Sequence, residues 1–136
     1  MDFMKSLFVA ASGLKAQSGR MRVIAENIAN ADSTARTPNA DPYRRRIPTF
    51  ESIFDNKMQA NKVELGRVET DRSEFRTRFN PSHPAADAEG FVKMPNVDRL
   101  VEAVDMREAQ RSYEANLNVI SSTRTMLART LDILRA

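Results

Sequence analysis

Apolar residues recur at alternating three- and four-residue steps near both ends of the chain and lose that rhythm between them. Met4, Leu7, Ala11, Leu14, Ser18, Met21, Ala25 and Ile28 form one series; Tyr113, Leu117, Ile120, Arg124, Leu127, Leu131 and Leu134 form another. Such steps place each set on one stripe of an α-helix. A stripe this narrow, held over this length, is the pattern of a coiled-coil seam. The pattern predicts a helix over residues 3–30, roughly 40 Å long, and a second over 97–135, about 57 Å long. Asp2 or Ser6 can start the first helix, and Asn30 can end it by taking the left-handed conformation. Pro95 fixes the entry to the second, with Asn96 as its cap. The second helix opens on a separate stripe, Val97, Leu100, Val101 and Val104, and such a phase shift suggests that its two halves face different neighbours. Gly13 and Gly19, with Ala10 and Ala11, offer a small-residue surface on which another helix can approach closely.

Between the helices the pattern changes. All six prolines fall in or close the stretch 31–95: Pro38, Pro42, Pro48, Pro81, Pro84 and Pro95. Proline at this density forbids a long helix. Tyr43 to Phe50 reads as a short edge strand. Lys62 to Thr70 and Glu74 to Phe79 alternate around Asp71-Arg72-Ser73, which predicts a β-hairpin. The expected fold is therefore mainly α, with a small irregular and β-hairpin insert. Its segments are 1–30 and 96–136 for the helices and 31–95 for the insert.

Composition sharpens one point. The chain has 7 Phe, 2 Tyr and no Trp in 136 residues. Two single-seam helices cannot enclose a deep core with so few large side chains, so much apolar surface is expected to bury against other chains. The residues expected at such subunit contacts are Leu7, Leu14, Met21, Asn27, Ile28 and Asn30 on the first helix. On the second they are Tyr113, Asn116, Leu117, Ile120, Leu127 and Leu131. An amide in a helical seam fixes register when it finds a partner; a solvated role suits Asn118 better than Asn27.

Little in the chain suggests reaction chemistry. There is no cysteine, and His83 is the one histidine. Neither a metal set nor a nucleophile–base pair can be assembled around it by type, and a plain loop role is expected. No glycine-rich phosphate loop is present. No catalytic, cofactor-binding or metal-binding residue is expected. The formal charge is +3, and basic residues cluster only at Arg44-Arg45-Arg46. Beside Tyr43 these could hold a single-stranded nucleic acid, which makes a basic helical nucleic-acid-binding module the alternative reading. On a strand, however, Arg44 and Arg46 share one face and Arg45 takes the other, an arrangement equally suited to salt bridges. No apolar run approaches the ~20 residues of a membrane span, and residues 5–17 do not read as a secretory signal.

Several runs are distinctive. Ala11-Ser12-Gly13-Leu14-Lys15-Ala16-Gln17, Arg20-Met21 and Val23 to Asp32 (VIAENIANAD) resemble the N-terminal signature of bacterial flagellar rod and hook proteins. Pro42-Tyr43-Arg44, Asn80-Pro81, Ala86 to Asp98 (ADAEGFVKMPNVD), Arg111 to Asn116 (RSYEAN) and Met126 to Leu131 (MLARTL) resemble the proximal-rod branch of that family. Ser33-Thr34-Ala35-Arg36 departs from many axial proteins by running into a longer loop, as the proximal-rod branch does. The resemblance implies that the two helices pair, antiparallel and coiled-coil-like, in the inner layer of a helical tube. It implies partners of two kinds, namely other rod subunits with further copies of this chain, and the flagellar type III export apparatus. It places the protein in the basal-body rod, with no nucleic acid and no direct membrane insertion.

Overall fold

The computed structural model describes residues 2–135. Two helices, α1 (Phe3–Ala29) and α2 (Arg99–Arg135), flank six short strands. These are β1 (Arg46–Ile47), β2 (Phe50–Asp55), β3 (Ala60–Leu65), β4 (Glu69–Thr70), β5 (Arg76–Phe79) and β6 (Phe91–Met94). They form three antiparallel pairs: β1 with β4, β2 with β3 and β5 with β6. The fold is mainly α with a small antiparallel insert. Met1 and Ala136, the outermost residues of the expected segments, lie outside the described residues.

The helix ends obey capping chemistry, with two corrections. Asp2 caps α1, its carboxylate accepting the Lys5 N–H at 3.2 Å. Asn30 closes α1 without entering the left-handed region; its side-chain amide donates to the Glu26 carbonyl at 2.8 Å. Among the described residues the left-handed non-glycine is Gln59, with φ of 49°. Asp98, and not Asn96, caps α2, accepting the N–H groups of Leu100 at 2.9 Å and Val101 at 3.4 Å. A carboxylate is favoured there by the helix dipole. Asn96 is occupied elsewhere: it accepts the Arg45 N–H at 2.8 Å and donates to the Asp71 carbonyl at 3.1 Å.

The expected hairpin around Asp71-Arg72-Ser73 does not form. Lys62–Thr70 breaks at Gly66, where β3 has ended and before β4 begins. A Cβ on Gly66 would lie 2.8 Å from the Glu51 side chain and 2.9 Å from the Thr49 hydroxyl, so a side chain there would require these neighbours to shift. β3 pairs instead with β2, through a turn in which the Asp55 carboxylate accepts the Lys57 and Met58 N–H groups at 2.9 and 3.1 Å. β5 pairs with β6, Phe79 opposite Phe91. The strand expected over Tyr43–Phe50 shrinks to β1, because Pro48 cannot extend the ladder.

Two compact units divide the chain. The first comprises Met1–Met21, Pro48–Arg67 and Arg107–Ala136. Its buried residues are Ala10, Ala16, Ala109 and Thr123. Within it Gly13 of α1 lies against Asn116 of α2, and Gly19 against Leu65 of β3. Arg20 reaches Glu108 at 3.6 Å. The small surface foreseen on α1 thus serves close approach, although at Gly19 the neighbour is a strand. The second unit comprises Arg22–Ile47 and Val68–Met106. Its core holds Val23, Ile24, Ala31, Ala85, Val92, Met94 and Val97, together with Asn27 and Glu102.

Candidate subunit interface

The apolar seams read from the sequence do not coincide with the faces that the chain buries in itself. On α1 the buried positions are Ala10, Ala16, Val23, Ile24 and Asn27. Leu7, Leu14, Met21 and Ile28 are half-buried beside that line, while Met4, Ala11, Ser18 and Ala25 are exposed. The displacement has a steric cause. Up to Met21, small residues permit close packing, so the interior takes the alanines and leaves the larger side chains on their flank; beyond it Val23 and Ile24 are themselves buried. On α2, Ala109 and Thr123 are buried, and Tyr113, Asn116, Ile120 and Leu127 are half-buried. Leu117 is 43% exposed, Leu131 50% and Leu134 77%. Arg124 is exposed, and the neighbouring Thr123 takes the inner position. Apolar surface therefore remains on both helices; Leu100, Val101 and Val104 on the first turns of α2 are also exposed.

The four amides are in different situations. Asn27 is fully buried in the second unit. Its Nδ2 donates to the Arg46 carbonyl at 2.8 Å and to Glu102 Oε2 at 3.1 Å. Its Oδ1 accepts the Tyr43 hydroxyl at 2.8 Å and the Arg46 N–H at 2.9 Å. These bonds exhaust its capacity, so the register it pins is internal to the chain. Asn30 is half-buried and serves the end of α1. Asn116 donates to the Ser112 carbonyl at 3.0 Å. Asn118 is exposed.

Around Asn27 lies a polar cluster that sequence reasoning did not assemble. Glu102, 1% exposed, accepts Arg45 Nε at 2.5 Å. Arg45 also approaches Asp105 at 3.5 Å and Asp71 at 3.7 Å. Burial pushes the Tyr43 phenol up from its ordinary value. The Asp71 carboxyl is held below its ordinary range, first by the Ser73 N–H and hydroxyl, then by Arg45. The one available signal was the expected alternation of Arg44 and Arg46 against Arg45. The Arg45 partner Glu102 is 57 residues away along the chain, beyond the reach of local pattern.

The other two arginines are also engaged. Arg44 stacks over the Phe75 ring at 4.1 Å and donates to the Ser73 carbonyl at 3.2 Å. Arg46 pairs with Glu26 at 3.0 Å. His83 joins two loops, with Nε2 3.1 Å from the Thr34 hydroxyl and Nδ1 accepting the Ala85 N–H at 3.0 Å. Among the described residues no group of three or more His, Cys, Asp or Glu is placed to hold a metal ion. No described helix is long and apolar enough to cross a membrane.

What remains is a chain that leaves apolar surface uncovered along α2 and on its strands, and the comparisons with known proteins say what it resembles. Residues 7–36 match the family described as flagella basal body rod protein, and residues 88–133 match the flagellar basal body rod FlgEFG protein C-terminal family. The flagellar basal-body rod protein FlgC of Agrobacterium fabrum is 52% identical over 94% of this chain and 92% of its own length. FlgC of Bacillus subtilis is 39% identical over 98% of this chain and 99% of its own. FlgC of Yersinia enterocolitica is 37% identical over 98% of each. The chain belongs to the FlgC family of flagellar basal-body rod proteins.

Proposed function

We propose that the chain is a structural subunit of the flagellar basal-body rod that helps transmit torque, with no catalytic role. The observation that carries this reading is the apolar surface left exposed after the chain has packed on itself, the larger part of it along α2. Subunit contacts are assigned to Leu7, Leu14, Met21 and Ile28 on α1, and to Tyr113, Leu117, Ile120, Leu127 and Leu131 on α2. Asn27, Asn30 and Asn116 support these contacts from within by fixing the helices and the chain between them. Antiparallel, coiled-coil-like pairing of α1 with α2 is supported by two neighbour pairs, Gly13 with Asn116 and Arg20 with Glu108: the α2 number falls as the α1 number rises. Assembly is heterologous and helical, so each interface joins two different patches. The subunit reaches the rod through the flagellar export apparatus.

The decisive test is a strain lacking this chain, scored for swimming and by electron microscopy of its purified basal bodies. Rings without a completed rod or hook are expected; normal swimming with intact basal bodies would overturn the reading. In the complemented strain, Leu127→Asp is expected to block assembly, because an unpaired buried charge costs several kcal/mol, roughly 3–5. The nucleic-acid alternative finds no support in Arg44, Arg45 and Arg46, each of which has partners within the chain. A mobility-shift assay at low salt, where such binding is strongest, is expected to show no shift.

A further inference from the structure

We propose that α2 carries a second apolar row, Val119, Met126 and Ile133, which seats on Met4, Ala11 and Ser18 of α1 in an adjacent copy of this chain. The inference rests on the reading that the chain is a rod subunit, and it concerns residues outside the contacts assigned above. Val119, Met126 and Ile133 are 47%, 42% and 76% exposed. Each stands one residue before a member of the seam Ile120, Leu127 and Leu134, so the row lies about 100° round the helix from that seam. Seven-residue steps return to nearly the same direction, so the three side chains form one line.

A surface that fits this line lies on α1. Met4, Ala11 and Ser18 also follow at seven-residue steps, and all three are exposed. Gly13 touches Asn116 of the chain's own α2. Ala11 is two residues from Gly13, so its row points about 160° away from that contact. The two rows therefore cannot close on each other within one chain. Closing them takes a second copy, and the contact joins two different patches, as helical assembly requires.

A screw operation along a tube parallel to the helices preserves their direction. The α1 of one copy thus meets the α2 of the next antiparallel. Ile133 then covers Met4, Met126 seats on Ala11, and Val119 seats on Ser18. Bulky side chains over small ones let the backbones approach with interlocking packing. Lys15 falls opposite Ser122 in this register. A shift of seven residues one way sets Lys15 against Arg129, two like charges. The opposite shift carries Ile133 past the start of α1 and leaves it uncovered.

The test is disulfide trapping, which has no background because the chain lacks cysteine. A strain carrying Ala11→Cys with Met126→Cys as its sole copy supplies basal bodies, which are purified, oxidised and run on a denaturing gel. Within one chain this pair is out of reach. The neighbour pairs Gly13 with Asn116 and Arg20 with Glu108 put Ala11 near residue 118, about 12 Å along the axis from Met126. Covalent dimers and higher multimers are expected, since every copy offers both halves of the contact. Intact basal bodies without multimers would overturn the proposal. So would multimers formed instead by Ala11→Cys with Val119→Cys or with Ile133→Cys, which report other registers. As a second readout, Met126→Asp is expected to abolish swimming and Asn118→Asp to leave it; swimming of Met126→Asp at the parental rate would also overturn the contact. Failure here is separable from failure of the rod reading, because only the latter predicts that a strain lacking the chain swims normally.

Discussion

Unit one and unit two draw on the same two helices and pack them by opposite rules. In the first, glycine and alanine face inward while Leu117, Met126 and Leu131 stay at least two-fifths exposed. In the second, Val23, Ile24, Met94 and Val97 face inward, and a buried amide and a buried carboxylate are fully partnered. The difference teaches that hydrophobic periodicity alone does not say where a helix will be covered. In the second unit the large residues serve the chain itself. Toward the helix ends the small residues serve the chain, and the large ones are left for others.

The contrast can be broken most strongly at Asn27. Asn27→Leu removes four hydrogen bonds and leaves the Arg46 N–H and carbonyl, the Tyr43 hydroxyl and Glu102 short of a partner. A loss of roughly 3–5 kcal/mol is expected in urea unfolding followed by circular dichroism. Gly90→Ala should come next. Gly90 has φ of 87°, and an added Cβ would lie 3.0 Å from the Phe79 ring and 3.1 Å from Pro81. A cost of about 1–3 kcal/mol is expected from the same unfolding curve. Leu131→Asp sharpens the comparison from the other side. At an exposed position it should shift the isolated chain by no more than ~0.5 kcal/mol, yet abolish swimming in the complemented strain. A large loss of monomer stability in this variant would show that the position serves the chain's own packing.

The smallest effect concerns acid. The Asp71 carboxyl is held low in the folded chain. Its stabilisation is therefore complete above the unfolded value of about 3.9 and is lost as pH falls through the folded value. Stability of the native chain should decline on acidification in that window, and Asp71→Asn should flatten the decline. An unchanged acid limb in thermal melts would remove Asp71 from the account.

The two helices were legible because their apolar steps repeat over many turns, and each end lay within two residues of its expected place. Strand pairing was not legible. Alternation in Lys62–Thr70 concealed the break at Gly66, and the Asp55 turn that joins β2 to β3 carries its signal in a carboxylate accepting two N–H groups, not in an Asn-Gly or Pro-Gly pair. The cap at Asp98 lost to Asn96 in the reading because both types cap well; only the engagement of Asn96 with Arg45 and Asp71 separates them. The polar cluster depends on contacts across 16 to 75 residues, where local pattern carries no information.

The hairpin β2–β3 has one guarded margin and one open one. Along β3 the Val63 N–H meets the Ser12 hydroxyl at 3.1 Å, so a foreign strand cannot add there without displacing α1. Along β2 the outer backbone groups have no strand partner, and Phe50 and Phe54 stand exposed beside them. An edge of this kind is a template for uncontrolled strand addition. The free subunit is therefore expected to associate through this element as its concentration rises, and Ser52→Lys is expected to suppress that association.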